Sequence, residues 1–351
     1  MAKPRRRNLL FETLPITPDR PLRIGVLGAA KITPTALINP SKGLPEVEIR
    51  AIAARDPERA QRFAHRYSIP VVHSSYEAIA DDPEIDALYN PLPNSLHAPW
   101  TIRALKAGKH VLCEKPLASN VDEARTMQET AIQERRLLME AFHWRYHPLA
   151  DRVLEILQSG SLGALEHIET AFCVPLLSPR NIRYRLDLAG GATMDLGAYT
   201  VNMIRTFGGC EPSVVAANVK QAAPGIDRWL QAEFSLGSQA TARMTVSFFS
   251  KDLIRVSCRV QCENGSISIF NPILPQLYHR LTLRGPAGRS IERVSGESTY
   301  RCQLRAFVRA LQSGQSPLTD GQAGVANMAV IDDIYRKAGL TPRGQSDSES
   351  L

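Results

Sequence analysis

Apolar runs of strand length alternate with helical patterns along the first part of the chain. Each run is bounded by polar or glycine-containing turns, and amphipathic stretches separate the runs. Such alternation predicts parallel strands joined by crossover helices. The predicted strands cover residues 22–27, 47–54, 71–72, 85–90, 110–113 and 137–141. Residues 21–141 are therefore predicted to form an open α/β domain.

The hydrophobic period changes to two in the second part of the chain. Residues 242–248 and 254–262 alternate between apolar and polar side chains, which is typical of strands with one buried face. Dipeptides at 237–238 and 264–265 favour tight hairpins with positive φ. Two amphipathic helices follow, the second after the N-cap candidate Asp320. Further strands are predicted at residues 166–174, 229–236, 266–270 and 277–284.

These patterns predict two domains. The fold class is α/β: an N-terminal open α/β domain over residues 21–141, and a C-terminal α+β domain with a large, mostly antiparallel sheet over residues 142–340. The length of 351 residues agrees, because it exceeds what one core usually supports. A flexible tail (residues 1–20) and a disordered polar tail (residues 341–351) are expected at the ends.

Charge and cysteine usage exclude several classes of protein. The net charge of +7 is spread among Asp and Glu, and the basic cluster at residues 3–7 is not interleaved with aromatics, so no nucleic-acid partner is expected. That cluster looks a little like a twin-arginine export signal, but Glu12 and Pro15 interrupt the apolar stretch that export requires. Six cysteines without a CxxC pair indicate free thiols and a cytoplasmic protein. No segment reaches membrane-spanning length, and no metal ligand set is apparent.

A glycine turn follows the first predicted strand. Residues 25–33 read GVLGAAKIT and precede a helical pattern, which is the context of a dinucleotide fingerprint. Only Gly28 keeps its place in GxGxxG, because Ala30 and Thr33 replace the later glycines. Gly28 would form the tight turn, and the backbone after it would approach the pyrophosphate. The alternative is an ordinary strand-to-helix turn built from small residues.

The second predicted strand ends at Arg55-Asp56. A carboxylate at this position usually binds the ribose hydroxyls of NAD, whereas an arginine receives the 2′-phosphate of NADP. Arg55 therefore favours NADP. Two alternatives stay open: Arg55 is a solvated surface charge, or Asp56 itself reaches the ribose of NAD.

Two further segments lie at the same edge of the predicted sheet. Leu92-Pro93-Asn94, with His97 three residues on, follows the fourth strand, where loops contact the ribose or nicotinamide. Asn94 as a helix N-cap and His97 as a helix-surface residue are the alternatives. Glu114-Lys115-Pro116 follows the strand at 110–113, so the Lys115 ammonium is expected at the reactive end of the dinucleotide.

Asp195 and Tyr199 form a second constellation behind a pair of glycines at 190–191. On a helix they share one face, so a carboxylate and a phenol can point into one cleft. Oxidising an alcohol needs a base for the hydroxyl proton, and a phenol with a pKa of about 10 serves poorly unless a cation favours its anion. Lys115 is predicted to be that cation. Alternatively, Asp195 is an N-cap and Tyr199 a core residue.

With these motifs the chain resembles the Gfo/Idh/MocA family, which includes glucose-fructose oxidoreductase and inositol dehydrogenase. The resemblance extends over residues 22–340 and is carried by residues 25–30, 107–116, 140–148 and 190–199. It implies an N-terminal Rossmann domain, a catalytic Lys115 with Asp195 and Tyr199, and assembly through the second sheet. Tyrosine instead of histidine at 199 is typical of a branch with xylose and dihydrodiol dehydrogenases and sugar ketoreductases, which tends to use NADP.

The resemblance also implies roles for residues near the second domain. Arg185 stands for the arginine of a Trp-Arg pair that contacts the cofactor in this branch. Arg145 and His147 are similar to a family segment near substrate or nicotinamide, whereas Trp144 favours interdomain packing. The full set of candidate cofactor-binding residues is Gly28, Ala29, Ala30, Lys31, Ile32, Arg55, Leu92, Pro93, Asn94, His97, Glu114, Lys115 and Arg185.

We therefore expect an NADP-dependent oxidoreductase, with NAD as the alternative cofactor, that transfers a hydride between nicotinamide and a sugar, sugar derivative or cyclic polyol. Tyr199 would be the acid/base, Lys115 would lower its pKa, and Asp195 would position the substrate. A homodimer or homotetramer without membrane partners is expected. The competing hypothesis is a non-catalytic NADP-binding sensor on the same fold.

Overall fold

The computed structural model describes residues 10–251 and 253–345. Six parallel strands form the first sheet in the order β3-β2-β1-β4-β5-β6, which confirms the predicted Rossmann domain. Its strands are β1 (Leu22–Leu27), β2 (Val47–Ala53), β3 (Val71–His73), β4 (Ala87–Asn90), β5 (His110–Cys113) and β6 (Leu138–Glu140). Its helices are α1 (Asn39–Ser41), α2 (Pro57–Tyr67), α3 (Tyr76–Asp81), α4 (His97–Lys106) and α5 (Val121–Gln133).

The turn after β1 leads into a short, wide helix rather than a regular one. A π-helical turn, Pro34–Ile38, continues directly into α1. Gly28 has φ of +85°, a conformation that favours glycine, and its N–H donates to the carbonyl oxygen of Ala53 at 2.7 Å. The predicted tight turn is therefore present, and it ties the end of β1 to the end of β2.

The second domain contains a sheet of eight strands in the order β14-β13-β12-β11-β7-β10-β9-β8. All neighbours are antiparallel except β7 and β10, as the mostly antiparallel prediction requires. The strands are β7 (Leu165–Cys173), β8 (Ser213–Ala223), β9 (Ile226–Leu236), β10 (Ala240–Ser247), β11 (Arg255–Cys262), β12 (Gly265–Phe270), β13 (Arg280–Gly285) and β14 (Gly288–Glu292).

The remaining α-helices in the described part of the chain are α6 (Pro148–Gln158), α7 (Ala198–Gly208), α8 (Thr299–Ser313) and α9 (Gly321–Lys337). Helix α7 packs on β7 and β10, and α9 packs on β8 and also on α5 of the first domain. Helix α8 returns to the first domain, where Phe307 and Leu311 are buried in one cluster with Leu22 and Ile24. The Asp320 carboxylate caps α9, as predicted, by accepting from the N–H of Ala323. No described helix is both long and apolar enough to cross a membrane.

Both chain ends correct the predicted tails within the described ranges. Phe11 is only 3% exposed, and the N–H groups of Glu12 and Leu14 donate to the carbonyl oxygens of Arg135 and Leu311. Residues 10–20 therefore pack on the first domain, because their apolar side chains complete its core. At the other end Arg343 is 1% exposed, so residues 341–345 are ordered and the prediction of disorder is wrong for them. The basic cluster at residues 3–7 lies outside the described residues.

Candidate active site

Lys115 and Asp195 meet across the boundary between the two domains. Lys115 follows β5 and precedes a cis peptide bond to Pro116, whereas Asp195 lies in a π-helical turn, Thr193–Gly197, that leads into α7. The Lys115 ammonium donates to the backbone oxygen of Asp195 at 2.8 Å and to its Oδ1 at 2.9 Å. The ammonium predicted at the edge of the first sheet thus contacts the carboxylate predicted in the second domain.

Arg183 is a second cation on Asp195. Its Nε donates to Asp195 Oδ2 at 2.5 Å, so both carboxylate oxygens are engaged. Burial alone would raise the pKa of Asp195, but the charges of Lys115 and Arg183 and their hydrogen bonds outweigh burial and hold the pKa at about 2. The cluster of two cations and one anion keeps a net positive charge.

Tyr199 lies one helical turn beyond Asp195 and is 6% exposed. The Lys115 Nζ atom is 4.8 Å from the centroid of the Tyr199 ring, and Phe142 and Phe172 contact the ring with their edges. Burial raises the pKa of the Tyr199 phenol well above its usual value. The Lys115 ammonium donates to Asp195 and lies over the ring, and burial dominates the pKa of the phenol; that Lys115 lowers this pKa stays a prediction.

His143 is the hydrogen-bond partner of the Tyr199 hydroxyl. Its Nε2 lies 2.9 Å from that oxygen, and its Nδ1 lies 2.8 Å from the Thr299 hydroxyl. Burial and the positive charge of Lys115 lower the pKa of His143 to about 3, so the imidazole is neutral. A neutral ring carries one proton, and the Tyr199 proton can therefore point to Nε2 only if Nδ1–H donates to Thr299. Tyr199, His143 and Thr299 form one buried chain.

The glycine turn and the loop after β4 lie side by side at the carboxyl edge of the first sheet. A side chain at Gly28 would come within 2.9 Å of Leu92 Cδ2, so only glycine leaves this approach open. Lys31 and Ile32 are exposed beyond the turn. Asn94 Nδ2 donates to the carbonyl oxygen of Ala189 at 2.9 Å, which connects this loop to the second domain. The turn and the loop thus lie at the edge of the sheet where dinucleotides bind in folds of this type.

Arg55 and Arg59 are both exposed at the end of β2. The Arg55 guanidinium forms no hydrogen bond or ion pair with the described residues, and Arg59 reaches back to the Ala29 carbonyl oxygen at 2.6 Å. Asp56 is the N-cap of α2 and accepts from the N–H of Arg59 at 3.1 Å. The carboxylate that could bind ribose is thus engaged in capping, whereas Arg55 is available to an anion.

Two models of one protein family match the two domains of the chain. Residues 22–142 match the model of an oxidoreductase family, GFO_IDH_MocA, with an NAD-binding Rossmann fold, and residues 151–268 match the C-terminal domain of the same family. The chain belongs to the Gfo/Idh/MocA oxidoreductase family. Its two domains are thus those that the sequence motifs indicate.

Related Gfo/Idh/MocA proteins resemble the chain over nearly its whole length. It is 36% identical to the D-xylose 1-dehydrogenase (NADP(+)) 2 of Haloferax volcanii, with 90% of this chain and 97% of that protein covered. It is 31% identical to the dTDP-3,4-didehydro-2,6-dideoxy-alpha-D-glucose 3-reductase of Saccharopolyspora spinosa, with 92% and 99% covered. A solved 3-ketoreductase from Actinomadura kijaniata, in complex with NADP and TDP-benzene, has a TM-score of 0.84 at 27% identity, with 90% and 98% covered.

Several other residues predicted for this Gfo/Idh/MocA site contact neighbouring protein groups, and their binding roles stay predictions. Arg185 is exposed and ion-paired with Asp187, whereas Arg183, two positions earlier, contacts Asp195. Arg145 pairs with Asp151. His147 caps α6 by accepting from the N–H of Leu149. Trp144 is buried and donates to Asn202 Oδ1, in agreement with the packing role favoured for it.

Glu114 and His97 are buried beneath the site. Glu114 Oε1 accepts from the Tyr89 hydroxyl at 2.7 Å, and burial raises the pKa of Glu114. His97 lies between the carbonyl oxygens of Pro116 and Leu92, each 2.8 Å from a ring nitrogen, and it is not the helix-surface residue considered as an alternative. Both side chains thereby brace the Lys115 and Leu92 loops. No three His, Cys, Asp or Glu side chains are grouped as metal ligands within residues 10–251 and 253–345.

Proposed function

We propose that this protein is an NADP-dependent oxidoreductase that transfers a hydride between nicotinamide and a hydroxyl-bearing carbon of a sugar, a sugar derivative or a cyclic polyol. The observation that carries the proposal is the contact of Lys115 with Asp195, beside Tyr199, at the carboxyl edge of a dinucleotide-type sheet. Two relatives are named as a D-xylose 1-dehydrogenase and a dTDP-sugar 3-reductase, and these names support the substrate class.

NADP is the proposed cofactor because the end of β2 presents cations. The Arg55 guanidinium has no hydrogen-bond or ion-pair partner among the described residues, and Oδ1 of Asp56 accepts as the cap of α2. A 2′-phosphate would receive the Arg55 guanidinium through charge-assisted hydrogen bonds. The NADP named for the Haloferax volcanii relative and bound to the Actinomadura kijaniata ketoreductase supports the same choice.

In the proposed mechanism, a bound nicotinamide supplies or accepts the hydride. The Tyr199 hydroxyl donates a proton to the substrate oxygen during reduction and takes it back during oxidation. Because its pKa is raised, Tyr199 keeps its proton at neutral pH and is poised to act as the acid. For oxidation, the phenol must first be deprotonated, and the 2.9 Å hydrogen bond to His143 Nε2 holds its hydroxyl group in place.

The charged groups of the cluster have separate roles in this mechanism. The Lys115 ammonium places a positive charge beside the ring of Tyr199, where negative charge on a phenolate or on the substrate oxygen would develop. Asp195 holds that ammonium in place with two acceptor oxygens. Arg183 is partly exposed, so its guanidinium can contact a polar substituent of the substrate from the solvent side of the cluster.

The alternative function is a non-catalytic NADP-binding sensor. Such a protein would bind the nucleotide at Gly28 and Arg55 but would have no use for a buried Lys115-Asp195-Tyr199 cluster. The presence of an acid/base candidate beside a fixed ammonium therefore favours catalysis.

A substrate screen distinguishes the two functions. The purified protein is incubated with NADP or NAD and aldoses, nucleotide sugars or cyclic diols, and with NADPH and the matching carbonyl compounds, while absorbance at the reduced-nicotinamide band is followed. Turnover with NADP that disappears in Tyr199→Phe supports the proposal. NADPH binding by fluorescence titration without turnover on any member of the panel favours the sensor.

Assembly through the second sheet is also part of the proposal. One face of that sheet carries Trp229 beside Lys220, together with Arg243 and Arg255, which pair with Glu233 and Glu169. A homodimer or homotetramer would bury this face. Light scattering of the purified protein measures the assembly state, and a monomer at micromolar concentration would contradict it.

A further inference from the structure

Arg343 lies in the interior of the protein although it follows the last helix. Its side chain is 1% exposed, and its Nη2 is 2.7 Å from Oδ1 of Asp227, whose side chain is fully buried. The guanidinium also lies 4.1 Å from the centroid of the Tyr335 ring, and the Tyr335 hydroxyl donates to Asp227 Oδ1 at 3.0 Å. A buried ion pair with this many partners holds the residues around it in one arrangement.

The Arg343–Asp227 ion pair is hydrogen-bonded to both ends of the turn that precedes Asp195. Arg343 Nε donates to the carbonyl oxygen of Gly190 at 2.7 Å, and Asp227 Oδ2 accepts from the N–H of Thr193 at 2.7 Å. Between them, Gly191 has φ of +132°, and a Cβ there would overlap the Asp227 carboxylate. The backbone from Gly190 to Thr193 is therefore clamped against the ion pair, and Asp195 follows two residues later.

The backbone of Arg343 is attached to the other domain. Asn120 Nδ2 donates to the Arg343 carbonyl oxygen at 2.8 Å, and Asn120 Oδ1 caps α5 by accepting from the N–H groups of Asp122 and Glu123, each at 3.0 Å. Asn120 is five residues beyond Lys115 in the chain. One residue near the C-terminus thus connects the segment that carries Lys115 with the turn that carries Asp195.

We propose that Arg343 is a positioning residue, which fixes Asp195 against Lys115 by tying the Gly190–Thr193 turn to the start of α5. It touches neither Lys115 nor Asp195, so its effect would pass through the backbone of the turn. The effect on turnover rests on the function proposed above. A displacement of about 1 Å at a reacting centre can lower the rate by about a hundredfold, so loosening this turn would reduce kcat.

The test compares Arg343→Met and Arg343→Lys in the full chain with the matched control Arg336→Met, which removes an exposed arginine of α9. We expect Arg343→Met to lower kcat by about 10-fold to 100-fold while the KM for NADPH changes by less than about twofold, because the dinucleotide surfaces are untouched. Arg343→Lys should recover part of kcat, since it restores a cation next to Asp227. Arg336→Met should retain full kcat.

Hydrogen exchange gives a readout that does not need activity. Exchange of the amides from Thr193 to Tyr199 should be at least about tenfold faster in Arg343→Met than in wild type or Arg336→Met. Unchanged exchange, or faster exchange with unchanged kcat, overturns the positioning role. If Arg343→Met does not fold, Asp227→Asn/Arg343→Met removes both buried charges and takes its place. A wild-type protein without turnover would refute the proposed function, and exchange would still decide whether Arg343 holds the turn.

Discussion

Lys115 Nζ donates at once to the backbone oxygen and to the carboxylate of Asp195, at 2.8 and 2.9 Å. A single side chain of the first domain thereby fixes both the main chain and the side chain of Asp195, in the π-helical turn that leads into α7. With two bonds committed to Asp195, the ammonium also lies over the ring of Tyr199. Lys115 is therefore the central residue of the cluster, and substituting it tests the proposed mechanism directly.

Lys115→Met should reduce kcat by at least about a thousandfold, because the variant keeps the length of the side chain but removes the charge that stabilises the transition state. NADPH affinity should change by less than about threefold, since Gly28 and Arg55 are unaltered. Initial rates and a fluorescence titration measure the two quantities. Lys106→Met, at an exposed lysine of α4, is the control and should behave as wild type. A Lys115→Met enzyme with normal kcat would end the proposed mechanism.

The Tyr199–His143–Thr299 chain predicts how the rate depends on pH in each direction. Tyr199 keeps its proton because burial raises its pKa, so the rate of carbonyl reduction should be nearly constant from neutral to moderately alkaline pH. The rate of alcohol oxidation should rise with pH, since the phenol must first lose its proton. Profiles of kcat against pH, recorded in both directions with one substrate pair, measure this difference. Parallel profiles would contradict the assignment.

His143 variants separate proton transfer from packing. His143→Phe removes the hydrogen-bond acceptor of the Tyr199 hydroxyl. It should lower the rate of oxidation by about a hundredfold, with a smaller effect on the rate of reduction. His143→Gln offers an amide oxygen in place of Nε2 and should recover most of the oxidation rate. Equal losses in both variants and both directions would show that the imidazole only fills space. Thermal unfolding of each variant provides the control for folding.

Arg55→Ala should change the cofactor preference without changing the chemistry. Loss of the guanidinium should raise the KM for NADP by about 10-fold to 100-fold, whereas the KM for NAD should stay within about twofold, because NAD lacks the 2′-phosphate. Steady-state kinetics with each cofactor measure both values. Arg62→Ala, at another exposed arginine on α2, is the control. An unchanged ratio of the two KM values would assign the phosphate contact to another residue.

Glu140 predicts a dependence of stability on pH. It is buried at the end of β6 and its Oε1 has no partner among the described residues, and burial raises its pKa to about 8 from 4.5. The folded state therefore favours the protonated acid, and this contribution to stability is complete below pH 4.5 and lost as the pH rises through 8. Glu140→Gln cannot ionise, so it should lose less stability than wild type between neutral pH and pH about 9.

Urea denaturation at the two pH values measures the difference for Glu140→Gln. Glu129→Gln, at an exposed glutamate of α5, should follow wild type throughout. A Glu140→Gln protein that loses as much stability as wild type over this range would show that Glu140 is ionised in the fold.

The sequence predicts the strands of this protein well where the hydrophobic pattern along the chain matches the buried positions. The strands of the first sheet are mostly apolar, and β10 and β11 alternate between apolar and polar residues, so the sequence predicts both sheets. Strand β8 was missed because it is an edge strand with mostly polar or half-exposed side chains, and β14 because nearly all its residues are exposed. Of the two predicted hairpin turns, Gly237 has positive φ, whereas neither Asn264 nor Gly265 does.

Residues of the candidate site are predictable only where a reactive side chain comes shortly after a predicted strand or a pair of glycines in the sequence. Lys115, Asp195 and Tyr199 meet these conditions, and the structure brings them together. His143 lies inside a motif noticed in the sequence, but no local pattern shows that its imidazole faces Tyr199. Arg183 and Arg185 differ by two positions in an irregular loop, where no period tells which one turns inward. Arg343 was assigned to a disordered tail because burial of a single charged side chain leaves no signal in composition.

The ammonium and the phenol are carried by different folding units, and this division has a consequence for inheritance of function. A fragment that contains only one of these units would have only half of the reaction centre and would catalyse no reaction. Conversely, the second unit can diverge in its loops and accept new substrates while the nucleotide half stays the same. Exchanging second domains between relatives is thus a rational route to redirect such an enzyme, provided that the residues at the join, among them Asn94 and Arg343, are exchanged together with their partners.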